Sequence, residues 1–186
     1  MKTKATIPCI LCLAIILNSC AMIPKKTVRI DWPDNINYMA ALCELDMSWR
    51  DMTYSGTMSL KVDYPDTLLV EVYGPFGNTV MYIKKDRNGF LLENQEVKDT
   101  DEGKFEKEFG IRLSDFIEDI TMKGTGESDK KGSPVVQRRG YTVTYRLEDG
   151  KSTICWNGTD GHICIEFLEV SFDRGSGLGK GTPAGV

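Results

Sequence analysis

His162 is the only histidine in a chain of 186 residues. A lone histidine cannot supply a multi-histidine zinc site, and neither a Gly-x-Ser-x-Gly elbow nor a His-Glu-x-x-His motif is present. The acidic pairs Glu118-Asp119 and Glu106/Glu108 fall beside apolar helical faces, where carboxylates are solvated rather than poised for acid–base work. The glycine-rich stretch after Phe172 lacks the Lys-Ser/Thr and the strand–helix context of a phosphate loop. These features argue against an enzyme and against a bound metal or cofactor. The cysteines carry more information.

Cys20 closes the stretch Leu17-Asn18-Ser19-Cys20. Before it, Lys2 and Lys4 form a positive start, and Ile7 to Leu17 is an apolar run interrupted by Pro8. That run is too short to span a membrane and fits an export signal. The four residues resemble a bacterial lipobox, with an aliphatic residue at −3 and a small one at −1. The resemblance makes residues 1–19 a lipoprotein signal peptide and Cys20 the acylated mature N-terminus. The competing reading is ordinary signal cleavage a few residues later. Several acyl chains on one residue anchor a protein stably, where a single chain does not. Ala21 in place of an aspartate favours the outer membrane, periplasmic face, by analogy with enterobacterial lipoproteins. Loss of residues 1–19 removes two lysines and no acid, leaving 21 basic against 27 acidic residues, a formal −6. Nothing in that balance points to nucleic acid.

An exported compartment permits oxidation of Cys43, Cys155 and Cys164. If "CWNGTDGHIC" turns at Thr159-Asp160, Cys155 lies directly opposite Cys164 and a disulfide is possible. A turn at Asn157-Gly158 or Asp160-Gly161 breaks that register, and buried free thiols are the alternative.

The remaining elements follow from periodicity. With 41% hydrophobic and 27% charged residues the chain suits one globular domain. We assign it to 33–173, after a lipidated N-terminus and tether at 20–32 and before a disordered tail at 174–186. Pro33 to Ala41 reads as a brief helix with Met39, Ala40 and Leu42 on its apolar side. Cys43, Leu45, Met47 and Trp49 then alternate with polar residues, the mark of a half-buried strand. Met58, Leu60 and Val62 do the same. "TLLVEVYG", "NTVMYIKK" and "FLLEN" follow, separated by turns at Asp63–Asp66, Gly74–Gly77 and Asp86–Gly89. Phe105 and Phe109 lie four apart before Gly110, and Ser114 is placed to cap "DFIEDI", giving two short amphipathic helices. Residues 123–140 read as a polar loop. Strands resume at Tyr141 with "YTVTYRL", "STICWN" and "HICIEFLEVSF".

This order resembles the LolA/LolB-like family, whose LolB-type members are lipoprotein receptors of the outer membrane. The stretch "LLVEVYGPFGNTVMYI" is similar to the family's strand, Pro-Leu-Gly-type turn and next strand, with Phe76 in the leucine position. "EFGIRLSDFIEDITMKG" resembles its pair of helices separated by a glycine, and "GYTVTYRLEDGK" the strand that resumes the sheet. The resemblance spans roughly Cys43 to Phe172. It implies a mostly β fold, a strongly curved antiparallel sheet forming an incomplete half-barrel covered by short helices. It further implies an apolar cavity for the acyl chains of lipoproteins, received from a LolA-like periplasmic carrier and inserted into the outer membrane without covalent chemistry. The expected cavity residues are Leu45, Met47, Met58, Leu60, Leu68, Val70, Val72, Val80 and Tyr82. The covering helices offer Phe105, Phe109, Phe116, Ile117 and Ile120. The family's protruding apolar loop has no leucine counterpart in the turns at Asp51–Tyr54 or Asp63–Asp66, where Met52 and Tyr64 stand nearest. The same apolar positions would also build an ordinary sheet core. Two other functions therefore remain, a structural or assembly envelope lipoprotein with a packed core and a carrier of free lipid.

Overall fold

The period-two alternation becomes a run of antiparallel hairpins. The computed structural model describes residues 30–123, 127–128, 134–148 and 151–175. The signal peptide, Cys20 with residues 21–29, and residues 176–186 lie outside the described residues. Six strands come first: β1 (Tyr38–Trp49), β2 (Met52–Asp63), β3 (Thr67–Tyr73), β4 (Thr79–Asp86), β5 (Gly89–Asn94) and β6 (Lys98–Asp99). Two helices follow, α1 (Glu102–Phe109) and α2 (Leu113–Ile120). The chain then returns through β7 (Glu127–Ser128), β8 (Pro134–Gln137), β9 (Tyr141–Glu148), β10 (Lys151–Gly158) and β11 (Gly161–Ser171).

All eleven strands belong to one sheet in the order β6-β5-β4-β3-β2-β1-β11-β10-β9-β8-β7. Every hairpin partner is a sequence neighbour except one. β1 pairs antiparallel with β11, from Ala40 opposite Ser171 to Trp49 opposite Gly161, and thereby joins two meanders at the centre. β6 and β7 are left as outer edges that do not pair with each other, and the two helices lie between them in sequence. The sheet is an incomplete half-barrel, curved and not closed.

One face carries the core. Cys43 and Leu45 on β1, Met58 and Leu60 on β2, Val70 and Val72 on β3, Tyr145 on β9, Ile154 and Trp156 on β10 and Ile165 on β11 are all buried. Ile111, Leu113, Ile117 and Ile120 from the helical segment close over them in the same cluster. The end of the sheet nearest the N-terminus is packed too. Trp32 stacks edge-on against Phe167 and Phe172, at 5.1 and 5.6 Å between centroids, and donates Nε1–H to Ser152 Oγ at 3.2 Å. Residues 30–32, expected as tether, therefore join the domain.

Several local expectations need correction. Pro33 to Ala41 is not helical; residues 34–35 bend and β1 starts at Tyr38. Met39, Ala40 and Leu42 fit a helical face equally well, but β1 is the central strand with partners on both sides, and Met39 to Ala41 are buried there. The turn placed at Asp51–Tyr54 shrinks to Arg50-Asp51, since β2 begins at Met52. The polar loop contains the short strands β7 and β8. Ser114 does not cap α2. That helix starts one residue earlier with Arg112 at the cap position, whose guanidinium holds the Asp115 carboxylate at 2.9 and 3.0 Å.

The β10–β11 turn falls at Thr159-Asp160, which sets Cys155 opposite Cys164, and the two form a disulfide. Gly161 ends the turn at φ +144, and a Cβ there would lie 1.9 Å from the Ser48 carbonyl oxygen. Gly89 has a similar φ of +140 with open space around it. Backbone strain alone costs about 1–3 kcal/mol at such angles. Gly161→Ala should therefore lose more stability than Gly89→Ala in urea unfolding, because it also pushes β1 and β11 apart. Equal losses for the two variants would contradict this account.

Candidate functional site

The apolar cavity lies between the core face of the sheet and the helices. Its floor comes from β1 to β4 and β11, its roof from α1, α2 and the segment joining them. Leu45, Met47, Met58, Leu68, Val70 and Val72 line it, as their alternation places them. Leu60 is buried in the core but does not line the cavity. Val80 and Tyr82 do not line it either, and Met81 and Ile83 take their place. The reason is register. Val72 pairs with Met81 and Val70 with Ile83, whereas Tyr82 sits opposite Glu71 on the other face. An irregularity between Val72 and Tyr73 leaves Val80 as the extra residue of a bulge. Ile163 and Ile165 of β11 complete the floor. The sequence alternation was present for both, but only the β1–β11 pairing brings them beside Leu45 and Met47.

The roof divides into two unlike halves. Phe105 and Phe109 of α1 and Phe116 of α2 line the cavity; Ile117 and Ile120 do not, and are instead fully buried against the sheet. α2 is buried at Leu113, Asp115, Ile117, Asp119 and Ile120, while α1 has no buried residue. α1 is held by Phe105 against Phe90 at 5.8 Å, by an ion pair from Glu102 to Lys85, and by a long 3.4 Å hydrogen bond from Trp49 Nε1 to the Glu108 carbonyl. Its own ends are well formed. Asp101 accepts a hydrogen bond from the Gly103 N–H, and Gly110 at φ +64 donates its N–H to the Glu106 carbonyl.

α2 is pinned by a carboxylate that sequence reading placed in solvent. Asp119 is fully buried. Its Oδ1 accepts from Arg138 Nε and Nη2 at 3.0 and 2.8 Å, and its Oδ2 from Trp156 Nε1 at 3.0 Å. Tyr145 donates its hydroxyl to the Asp119 carbonyl at 3.0 Å. Burial pushes the Asp119 carboxyl above its usual range, and the Arg138 and Trp156 hydrogen bonds pull against that. Desolvation is the largest influence on Arg138 and opposes its charge, but its hydrogen bonds to Asp119 and Glu118 and the attraction of the Asp119 and Asp115 carboxylates together outweigh it and raise its pKa. The pair thus stays together as a charge-assisted clamp between α2 and the β8–β10 edge. Glu118, its sequence neighbour, reaches the same guanidinium at 2.9 Å from a side chain that is 41% exposed.

The other singled-out residues lie away from the cavity. His162 faces Asp46 at 3.9 Å on the opposite face of the sheet, with Cys155 and Cys164 on the same face. Cys43 is a buried free thiol whose pKa burial pushes up. Met52, Phe76 and Val97 are the large apolar side chains most exposed among the described residues, and Phe76 stands out at 94%. All three sit in or beside the β1–β2, β3–β4 and β5–β6 turns, which antiparallel connectivity puts at one end of the sheet. Of the two turn residues singled out in the sequence, Met52 is 37% exposed, while Tyr64 is half-buried and packed against the core.

Removing a partner from a buried ion pair strands the other charge, at about 3–5 kcal/mol. Asp119→Ala should lose that much stability in urea unfolding. Glu118→Ala, at an exposed partner of the same arginine, should lose no more than about 1 kcal/mol. Comparable losses would mean that Asp119 does not pin the helix. In comparisons of sequence, no protein-family model matches the chain and no curated protein matches it significantly.

Proposed function

We propose that this protein is an acceptor for the acyl chains of lipidated proteins, anchored through Cys20 at the periplasmic face of the outer membrane. A soluble LolA-like carrier would deliver its cargo. The observation that carries this reading is a wholly apolar cavity roofed on one side by a helix whose phenylalanines are only partly buried. An ordinary core has no reason to leave its cover so lightly held. The exposed Phe76 tip supports the second half of the task, contact with the acyl region of a membrane during release.

The closed cavity measures about 70 Å³, well under the roughly 300 Å³ of the smallest ordinary ligand pockets. Phe105 and Phe109 line this small space, so an acyl chain would enter only if α1 moved. Each methylene transferred from water is worth about 0.8 kcal/mol. A chain burying ten of them gains about 8 kcal/mol, against up to about 5 kcal/mol for the ion pairs Lys85–Glu102 and Lys104–Asp99, one aromatic contact and one long hydrogen bond that hold α1. The same small volume favours one other reading, a packed envelope lipoprotein whose apolar tips dock a partner.

Native mass spectrometry of the full chain after incubation with a lipoprotein-loaded periplasmic carrier separates the two. The acceptor should emerge with one lipoprotein bound. Phe109→Glu, a change on the helix without buried residues, should abolish that complex and leave the fold intact. Phe76→Glu should keep the complex and lose transfer of the lipoprotein to liposomes. A bare protein under conditions where cargo leaves the carrier for another receptor would favour the packed envelope protein. Phospholipid alone in the complex would make it a lipid carrier.

A further inference from the structure

A second opening lies on the far side of α1, and the acceptor reading gives it a use. It is a groove of about 560 Å³ between α1 and the turns β8–β9 and β10–β11, lined among others by Trp49, Glu106, Lys107, Arg139, Gly140 and Asp160. Helical spacing splits α1 between two surroundings: Phe105 and Phe109 look into the apolar cavity, and Glu106 and Lys107 into the groove. At the end of the helix the two come together. Gly110 lines the groove and Ile111 the cavity. Gly110 carries no side chain, and a Cβ there would find its nearest neighbour, the Trp49 ring, at 4.0 Å.

We propose that this groove receives the polypeptide segment next to the acylated residue of the cargo. The inference rests on the acceptor reading above. A lipidated protein is an apolar ligand and a polar chain joined at one residue. A site for both must set an apolar cavity beside a groove that offers polar groups, and the linings of the two come side by side at Gly110 and Ile111. The charges suit a peptide. Lys107, Arg139 and Glu106 make no ion pair among the described residues, whereas Asp160 is held by Arg50 at 2.9 Å. Two sets of donors and one acceptor match the carbonyls and N–H groups of an amide chain. A bare phosphate would meet the Glu106 carboxylate as well as the cations, and its binding would be opposed.

Photo-crosslinking of the full chain tests this, with benzoylphenylalanine placed singly at Lys107, Arg139 or Phe109. The probe is a synthetic tri-acylated decapeptide, with the same peptide lacking acyl chains as control. Positions 107 and 139 should capture residues just after the acylated cysteine, position 109 the acyl chains, and the unacylated peptide should give no product. Acyl chains captured at 107 and 139 would overturn the inference. So would silence there while position 109 still reacts, a result that leaves the acceptor reading standing. Silence at all three positions would remove both. As an independent measure, Lys107→Glu with Arg139→Glu should weaken lipopeptide binding about tenfold, the loss expected for two hydrogen bonds. Palmitate binding should change less than about twofold. Equal weakening of both ligands would make the two cations part of the lipid site and refute a peptide groove.

Discussion

The pairing of β1 with β11 is the constraint on which the rest of the structure depends. It brings the first and last strands together at the centre of the sheet, so each half of the chain builds outward from that seam by plain hairpins. Two consequences follow. β1, at the seam, has strand partners along both edges, and Met39 to Ala41 on it are buried on both faces. The edges fall at β6 and β7, the middle of the sequence, and the chain between them must cross the open side of the half-barrel. The helical cover is thus a product of topology. Both edge strands are two residues long.

The crossing is made by two helices with different attachments. α2 has a high-contrast amphipathic face, two fully buried isoleucines and a buried carboxylate tied to Arg138 and Trp156. α1 has a good cap at each end but no fully buried residue, and Phe105 and Phe109 are only partly buried. Caps stabilise a helix as a helix and do little to fix it to a sheet. α1 is therefore a coherent unit loosely attached, beside one that is firmly attached, with Gly110 between them. That asymmetry is what the proposed exchange of aromatic rings for acyl chains needs.

Much of this was legible in the sequence, and the misreadings have identifiable physical causes. Alternation at Cys43 to Trp49 and Met58 to Val62 marks strands because those residues face one core. It fails at Met39, Ala40 and Leu42, where both faces are covered and the pattern loses its period. It also fails on β4, where Val80, Met81, Tyr82 and Ile83 are all apolar and only the bulge after Val72 decides which pair turns inward. Asp119 could not be recognised as buried from its neighbours, because its partners Arg138 and Trp156 are 19 and 37 residues away. Phe76 was recognised as a turn residue, but its exposure depends on which end of the sheet that turn occupies.

The closed cavity is small because its own cover fills it, and that bears on how any acyl ligand would be released. A permanently open apolar cavity of acyl-chain size would be wetted at a cost, or would bind lipid too tightly to give it up. On the proposed reading, Phe105 and Phe109 would return to the space as the ligand left, so apolar surface would never be wholly exposed to water. The net affinity is then the difference between two apolar occupants, one covalently part of the chain. A difference of that kind is smaller than either term alone, and on the proposed reading a membrane at the Phe76 end of the sheet would tip it. Transfer by differential affinity needs no chemical step and no energy source beyond the acyl chain's preference for the bilayer.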